Sequence, residues 1–295
     1  MDFRLESFLL ACKYQSYTKA AEKLCITQPA VSQHIQFLEN QYGCKLLEYN
    51  NKKLTLTKAG EVFYKYAQNA KANEKIIREK LHALSQAQKP LKFAATLTIG
   101  EFTIAPVLGD FIKSFTDYNI TMYVDNTETI LKMLQRGDIS FALVEGLFDK
   151  ADYKSRLFKI ADFVLIAPVT HPLCTKKKVT LEDLKDETII IREKGSGSRE
   201  VLERGLFDIN YTLEHFGKII EIGNVNVIKQ IVKNGLGLSF MYRDAAIKEI
   251  KNDLLAEVKL ADFAIQREFN FIYRQNNILQ TNVDQIYSFF VSKLS

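Results

Sequence analysis

A chain of 295 residues exceeds the usual single core of about 100 to 200 residues, so two or more domains are expected. With 47% hydrophobic and 25% charged residues the composition excludes a disordered chain, and no apolar run approaches the roughly 20 residues of a membrane span. The charge is lopsided: residues 1–89 hold 14 Lys or Arg against 8 Asp or Glu, net +6, and the remainder 26 against 27, net −1, as expected of one polyanion-binding module at the N-terminal end.

Residues 1–11 mix apolar side chains with Asp2, Arg4 and Glu6, unlike a signal peptide, so the protein is expected in the cytoplasm. Phe3, Leu5, Phe8, Leu9 and Cys12 recur at helical spacing and predict a first helix. Thr18 is expected to cap a second, whose Ala20, Ala21 and Leu24 let another helix cross closely, and Thr27 a third, with Pro29 in its first turn. On that third helix Val31, Ile35, Leu38 and Tyr42 share an inward face, leaving Gln28, Ser32, Gln33 and Gln36 outside. Amides and hydroxyls both donate and accept, which suits base edges in the major groove; a merely solvated face is the plain alternative for such a helix alone. Residues 45–57 alternate around Asn50, Asn51, Lys52 and Lys53 and read as a hairpin wing with a basic tip.

From 59 to 88 strong helix formers dominate, and Phe63, Tyr66, Ala70, Ile77 and Leu84 fall in a 4-3 seam with Asn73 and Lys80 at its polar positions. A second copy of the chain is the expected partner for that seam, packing on the chain's own sensor the alternative, and Lys89 and Pro90 are expected to end the helix as a hinge.

Beyond Pro90 short apolar strands at 91–96, 120–124, 141–145, 163–167, 188–192, 218–222, 238–242 and 269–273 alternate with helical stretches, an α/β pattern. Such sheets bind ligands at strand carboxyl ends, where helix N-termini offer free amides. Thr96 and Thr98 lead into a helix expected over 99–116, with their hydroxyls as its cap. The run Arg192, Glu193, Lys194, Gly195, Ser196, Gly197, Ser198, Arg199 combines glycines, hydroxyls and cations at a helix start and suits an oxyanion; a helix-capping turn with solvated charges is the alternative. No Walker loop or G-x-G-x-x-G follows a strand, His34, His82, His171 and His215 lack ligand spacing, and no catalytic set, metal site or cofactor is marked. Cys12, Cys25, Cys44 and Cys174 form no C-x-x-C and are expected to be buried and reduced.

Ser16, Thr18, Ala20, Ala21 and Leu24, then the run from Thr27 to Ser32, Ile35, Leu38 and Glu39, then Gly43, Leu56, Thr57 and Gly60 resemble the LysR-type helix-turn-helix signature almost position for position. Leu47 and Tyr49 depart from the Phe and Arg usual there, so phosphate clamping by the wing must lean on Lys52 and Lys53. The resemblance implies DNA contact by Thr18, Thr27, Gln28, Pro29 and Ser32, with Gln33 at a variable position. It continues through Asn126 to Glu128, Leu143 to Gly146, His171 to Leu173, Gly223 with Asn224, and Gly235 to Gly237. The Arg-Glu-Lys-Gly-Ser-Gly run is similar to a subgroup with regulators of carbon dioxide fixation and sulfur assimilation.

The fold implied is an N-terminal winged helix-turn-helix (1–58), a linker helix (59–89) and an α/β, periplasmic-binding-protein-like (type 2) two-lobed sensor, with lobe I at 90–162 and 267–295 and lobe II at 163–266. The function implied is a transcriptional regulator, not an enzyme, that binds double-stranded DNA at a two-fold operator. It is expected as a homodimer through the linker helix and further as a homotetramer, with RNA polymerase as a further partner. Its effector, a small anion, is expected between Thr96, Thr98 and Thr127 on one lobe and Ser196, Ser198 and the amides around Arg199 on the other, with Arg192 and Asn224 nearby. Glu145 at the same cleft either pairs with Lys194 or Arg192 or meets a hydroxyl or amine of the ligand. A cytoplasmic solute-binding protein or enzyme is the competing reading, and a cysteine redox sensor the third.

Overall fold

The computed structural model describes residues 2–50, 53–83, 88–149, 153–275 and 283–294. They divide into two compact units, Met1–Gln86 with Gln135–Asp138, and Ala87–Leu134 with Ile139–Ser295.

The first unit opens with α1 (Phe3–Tyr14), α2 (Tyr17–Leu24) and α3 (Gln28–Tyr42), whose apolar stripes meet in one core of Phe8, Leu9, Ala20, Val31, Ile35 and Leu38 among others. Ala20 and Ala21 are the side chains that α2 buries there, small enough for the other helices to pack near its backbone. The cap of α2 is Ser16, whose hydroxyl accepts from the Lys19 amide at 3.3 Å; Thr18, expected as the cap, lies one residue inside the helix. Thr27 does cap α3, accepting from the Ala30 amide at 3.4 Å, with Pro29 in the first turn. Tyr42 does not turn inward as expected: it is 46% exposed and lays its ring 4.8 Å from that of Phe63.

The wing is the antiparallel pair β1 (Leu47–Asn50) and β2 (Lys53–Leu56), Leu47 opposite Leu56 and Asn50 opposite Lys53. Buried Glu39, near the end of α3, holds it: its carboxylate accepts from Lys45 Nζ at 2.6 Å and the Leu46 amide at 2.9 Å. The long helix α4 (Lys58–Ala83) follows, and its Gly60 sits where a Cβ would meet the Leu46 carbonyl oxygen at 2.0 Å. The expected seam on α4 has two destinations. Phe63 joins the core of this unit, whereas Tyr66 and Ile77 are exposed, with Val62 and Leu81 beside them; Leu84 and the Lys80 side chain lie outside the described residues.

The second unit begins with β3 (Lys89–Thr96), so Lys89 and Pro90 are not a hinge: they pair with Tyr118 and Asn119 of β4 (Tyr118–Asp125). Pro90 is tolerated because β5 (Phe141–Val144) pairs with β3 only at Phe93 to Ala95, leaving no ladder partner that needs its missing amide. The helix expected over 99–116 breaks into a π-helical turn, Ile99–Thr103, and α5 (Ala105–Ser114). Pro106 is the reason, since it cannot donate to Phe102 and continue a regular ladder. After α6 (Thr127–Gln135) and β5 come β6 (Tyr153–Pro168), β7 (Thr188–Ile191), α7 (Gly197–Phe207), β8 (Lys218–Glu221), α8 (Val225–Lys233), β9 (Leu238–Tyr242), α9 (Arg243–Lys251), β10 (Leu255–Val258), β11 (Ile265–Arg274) and α10 (Val283–Leu294).

Two α/β lobes result, joined by the long strands β6 and β11. Their antiparallel ladder runs through the middle of the sheet order β4-β3-β5-β11-β6-β9-β7-β8, with β10 on β6 and Asp162 opposite Gln266. The first 10 residues of β6, and all of β10, were not among the predicted strands. The β3 side is held by an aromatic stack, Phe93 on Phe141 at 4.9 Å and Phe141 on Phe271 at 4.7 Å, and α10 returns to it with Phe290 4.8 Å from Phe111. Among the described residues no helix is long and apolar enough to cross a membrane.

Candidate nucleic-acid interface and effector site

In the first unit, burial of Val31, Ile35 and Leu38 rotates the opposite face of α3 outward. Gln28, Pro29 and Gln33 are exposed and Ser32 is half-buried, so the side chains expected to read DNA share one accessible face, and Thr18 on α2 is exposed as well. Lys53 is exposed where β2 begins; Lys52 lies outside the described residues. Tyr49, in the departure from the usual wing, is 65% exposed and rests edge-on against Tyr17, ring centres 6.2 Å apart.

The candidate effector site is built at the carboxyl ends of strands in both lobes. Thr96 ends β3 and Thr98 follows it, Glu145 follows β5, and Thr127 begins α6; Arg192 follows β7, and Ser196 and Ser198 flank the start of α7. All seven are buried. The glycines of the second turn meet the other lobe directly. A Cβ on Gly197 would lie 2.5 Å from the Glu145 carbonyl oxygen and 2.6 Å from Thr127 Oγ1, so only glycine allows this approach. The hydroxyls do not cap their helices as expected. Thr98 Oγ1 donates to Glu145 Oε1 at 3.0 Å, Thr127 Oγ1 donates to the Glu145 carbonyl at 3.1 Å, and Ser196 and Ser198 share one hydrogen bond of 2.9 Å.

Glu145 is the site's main electrostatic feature. Burial pushes its carboxyl up to about 7, opposed by the Thr98 hydrogen bond, the positive charge of Arg192 and the nearby Thr96 hydroxyl. It pairs with neither cation considered for it: Arg192 forms a bidentate pair with Glu193 at 2.8 and 2.9 Å, and Lys194 is exposed. Two further expected residues are spent elsewhere. Arg199 donates to Glu203 at 2.8 Å, to Glu221 and to the Arg192 carbonyl, tying α7 to β8, and exposed Asn224 caps α8 by accepting from the Val227 amide at 3.0 Å.

Sequence reading missed the groups around Glu145. Tyr242 at the end of β9 is fully buried, and burial together with the charge of Glu145 holds its phenol well above the ordinary range; Arg267 of β11 acts on it in the opposite sense. Asp244, which accepts from Thr103 of the π-helical turn at 2.8 Å and from Lys159 at 2.6 Å, also bears on Glu145. No local pattern marks these residues, because each comes from a different strand or helix.

The four cysteines are free thiols, as expected, but not buried: Cys25 and Cys44 are exposed and Cys12 and Cys174 half-buried. Burial pushes the Cys12 thiol up to about 12 and raises Cys174, which works against the thiolate a redox sensor needs. Among the described residues no cluster of metal-ligating side chains exists.

Comparison with known proteins agrees with this architecture. Residues 3–61 match the bacterial regulatory helix-turn-helix protein, lysR family, and residues 85–295 the LysR substrate binding domain. The chain is 29% identical over 270 residues to the HTH-type transcriptional regulator CysL of Bacillus subtilis (strain 168), covering 91% of this chain and 89% of the relative. It is 31% identical over 285 residues to a probable RuBisCO transcriptional regulator of Trieres chinensis (93% and 91% covered), and 30% over 289 to the HTH-type transcriptional activator CmpR of Synechocystis sp. (97% and 94%). Among solved structures, full-length BenM superposes with a TM-score of 0.59 at 22% identity, covering 99% of this chain and 95% of that one. The Synechocystis PCC6803 CcmR regulatory domain in complex with 2-PG gives 0.63 at 24%, with 70% and 97% covered. With both of its units matched, by a DNA-binding domain and a ligand-binding domain that together span nearly its whole length, the chain belongs to the LysR family of DNA-binding transcriptional regulators, which are not enzymes.

Proposed function

We propose that this regulator acts in the cytoplasm, binds a two-fold operator as a homodimer joined through α4, and switches in response to a small anionic metabolite held between its sensor lobes. The dimer associates further into a tetramer. Lobe I comprises 90–162 and 267–295, lobe II 163–266, with the chain crossing at Asp162 and Gln266.

The observation that carries the effector reading is the cleft itself, where hydroxyls of Thr96, Thr98 and Thr127 from one lobe face Ser196, Ser198 and Arg192 from the other, all buried. Arg192 Nη1 and one proton of the Ser196–Ser198 pair are the donors left free near the start of α7, and donors there favour an oxyanion. The CcmR regulatory domain, similar in fold, was solved with 2-PG bound, which supports a small ligand in this kind of sensor. Gln28, Ser32 and Gln33 are assigned to the operator's base edges, and Lys53 with Lys52 to its phosphates.

Operator gel shifts over a salt series, with and without candidate anions, test this reading. Gln28→Ala is expected to weaken the operator by roughly 1–3 kcal/mol with little effect on random DNA. Lys53→Ala is expected to weaken both and to lower the salt slope by about one. Equal losses on all DNA from Gln28→Ala would remove it from sequence reading. Anions that leave both the gel shift and the sensor's melting temperature unchanged would remove the effector.

A further inference from the structure

Several buried polar atoms lack a hydrogen-bond partner among the described residues, and three of them, Thr96 Oγ1, Glu145 Oε2 and Arg192 Nη1, belong to the proposed cleft; Tyr242 OH, which the charge of Glu145 reaches, is a fourth. A buried polar group left unpaired is costly, so such a concentration in one place describes the hydrogen bonds an occupant must complete. The set is not uniform. Arg192 Nη1 can only donate, and its other contacts already serve Glu193. Glu145 Oε2, when ionised, can only accept; the one proton of the Thr98 hydroxyl is already committed to Oε1, and the neighbouring Thr96 hydroxyl can supply at most one hydrogen bond, so acceptor positions of the buried carboxylate remain to be filled. Of the two protons on Ser196 and Ser198, one closes their mutual bond and the other is left to donate.

A bare oxyanion answers Arg192 and the serine pair but sets an acceptor against an acceptor at Glu145. We infer that the effector is a small anion that also carries a hydroxyl or ammonium group, a hydroxy acid or an amino acid, whose donor is read by Glu145 Oε2 while its anionic end is held by Arg192 and the serines. Glu145 then acts as a specificity residue, rejecting anions of the same size that lack the donor. Selection of this kind follows because the analogue without the donor leaves acceptor positions of a buried carboxylate unfilled. The inference rests on the effector cleft proposed above and goes further by naming the ligand's second group.

The test is calorimetric titration of the full chain, at pH 8, with matched pairs that differ only in the donor: glycolate against acetate, lactate and alanine against propionate, malate and aspartate against succinate. At least one donor-bearing member is expected to bind roughly 10- to 100-fold more tightly than its partner. Glu145→Gln, which keeps an acceptor for Thr98 but turns an NH2 toward the ligand, is expected to erase or reverse that preference while melting cooperatively. Ser196→Ala is expected to weaken every member that binds. Equal or tighter binding by the bare anions, an unchanged preference in Glu145→Gln, or saturation by no donor-bearing member at 10 mM, roughly the weak end of metabolite binding, would overturn the inference. If Ser196→Ala still weakens the bare anions in the first case, the cleft stands and only the donor requirement falls; if it weakens nothing that binds, both fall.

Discussion

Burial of Glu145 carries a cost in stability. With its carboxyl raised from 4.5 to about 7 by burial, folding is fully free of that cost only below pH 4.5, where folded and unfolded chains are both protonated. Between pH 4.5 and 7 the unfolded chain has lost the proton and the folded one has kept it, so stability falls as pH rises and stays lowered above 7. The full effect is about 3 kcal/mol. Glu145→Gln is therefore expected to stabilise the ligand-free protein at pH 8 by up to that amount and to give no gain at pH 4, read from urea midpoints at both values. A gain independent of pH would place the effect in packing rather than charge.

Among the elements, the wing depends on one side chain of α3. Glu39 takes hydrogen bonds from Lys45 and from the main-chain amides of Leu46 and Leu47, at 2.6, 2.9 and 3.4 Å, where the chain leaves the helix for β1. Glu39→Ala leaves buried amides unsatisfied and is expected to destabilise the DNA-binding unit by about 2–3 kcal/mol, while Glu39→Gln, which keeps an acceptor, loses about half as much. Chemical denaturation with a probe in the first unit checks both. The helix α4 makes a different prediction. Ile77 is exposed well along the helix from buried Phe63, and Tyr66 is exposed with its ring 5.6 Å from that of Phe63, so Ile77→Asp leaves the monomer's core untouched and Tyr66→Asp disturbs only its edge; both are expected to dissociate the dimer and abolish binding to two-fold sites. Sedimentation with both variants still dimeric would move the interface off α4.

For the molecule as a whole, the cores of the two units share no residues: one draws on Leu5 to Ala67, the other on Leu91 to Phe290. A fragment of residues 88–295 is accordingly expected to fold and to bind the effector without binding DNA. Within that sensor, Gly197 lies against the Glu145 carbonyl with no room for a methyl group. Gly197→Ala is expected to hold the lobes apart and weaken effector binding by roughly 1–3 kcal/mol. Titration gives the affinity, and faster amide exchange at residues 127–128 and 195–197 would locate the cause; unchanged affinity would mean that the ligand binds without this contact.

Much of this was determined by sequence alone. Local patterns report local physics: the period of Val31, Ile35 and Leu38 set the outward face of α3, Thr27 and Pro29 its start, and alternating apolar runs all but one of the sheet's strands. Thr96, Thr98, Thr127, Glu145, Arg192, Ser196 and Ser198 could be named because strand ends and helix starts are visible in a sequence, and family resemblance pointed to the same turns. What only tertiary structure decided is where the side chains there spend their hydrogen bonds. Thr98 turned from its helix to Glu145, Arg192 to Glu193 and Arg199 to Glu203 and Glu221, because the nearest partner in space lay on another element or an unforeseen neighbour. The same holds for Tyr242 and Arg267, whose strands have a local signal but whose meeting near Glu145 has none, and for the pKa of Glu145, which is set by burial between lobes that no stretch of sequence contains by itself.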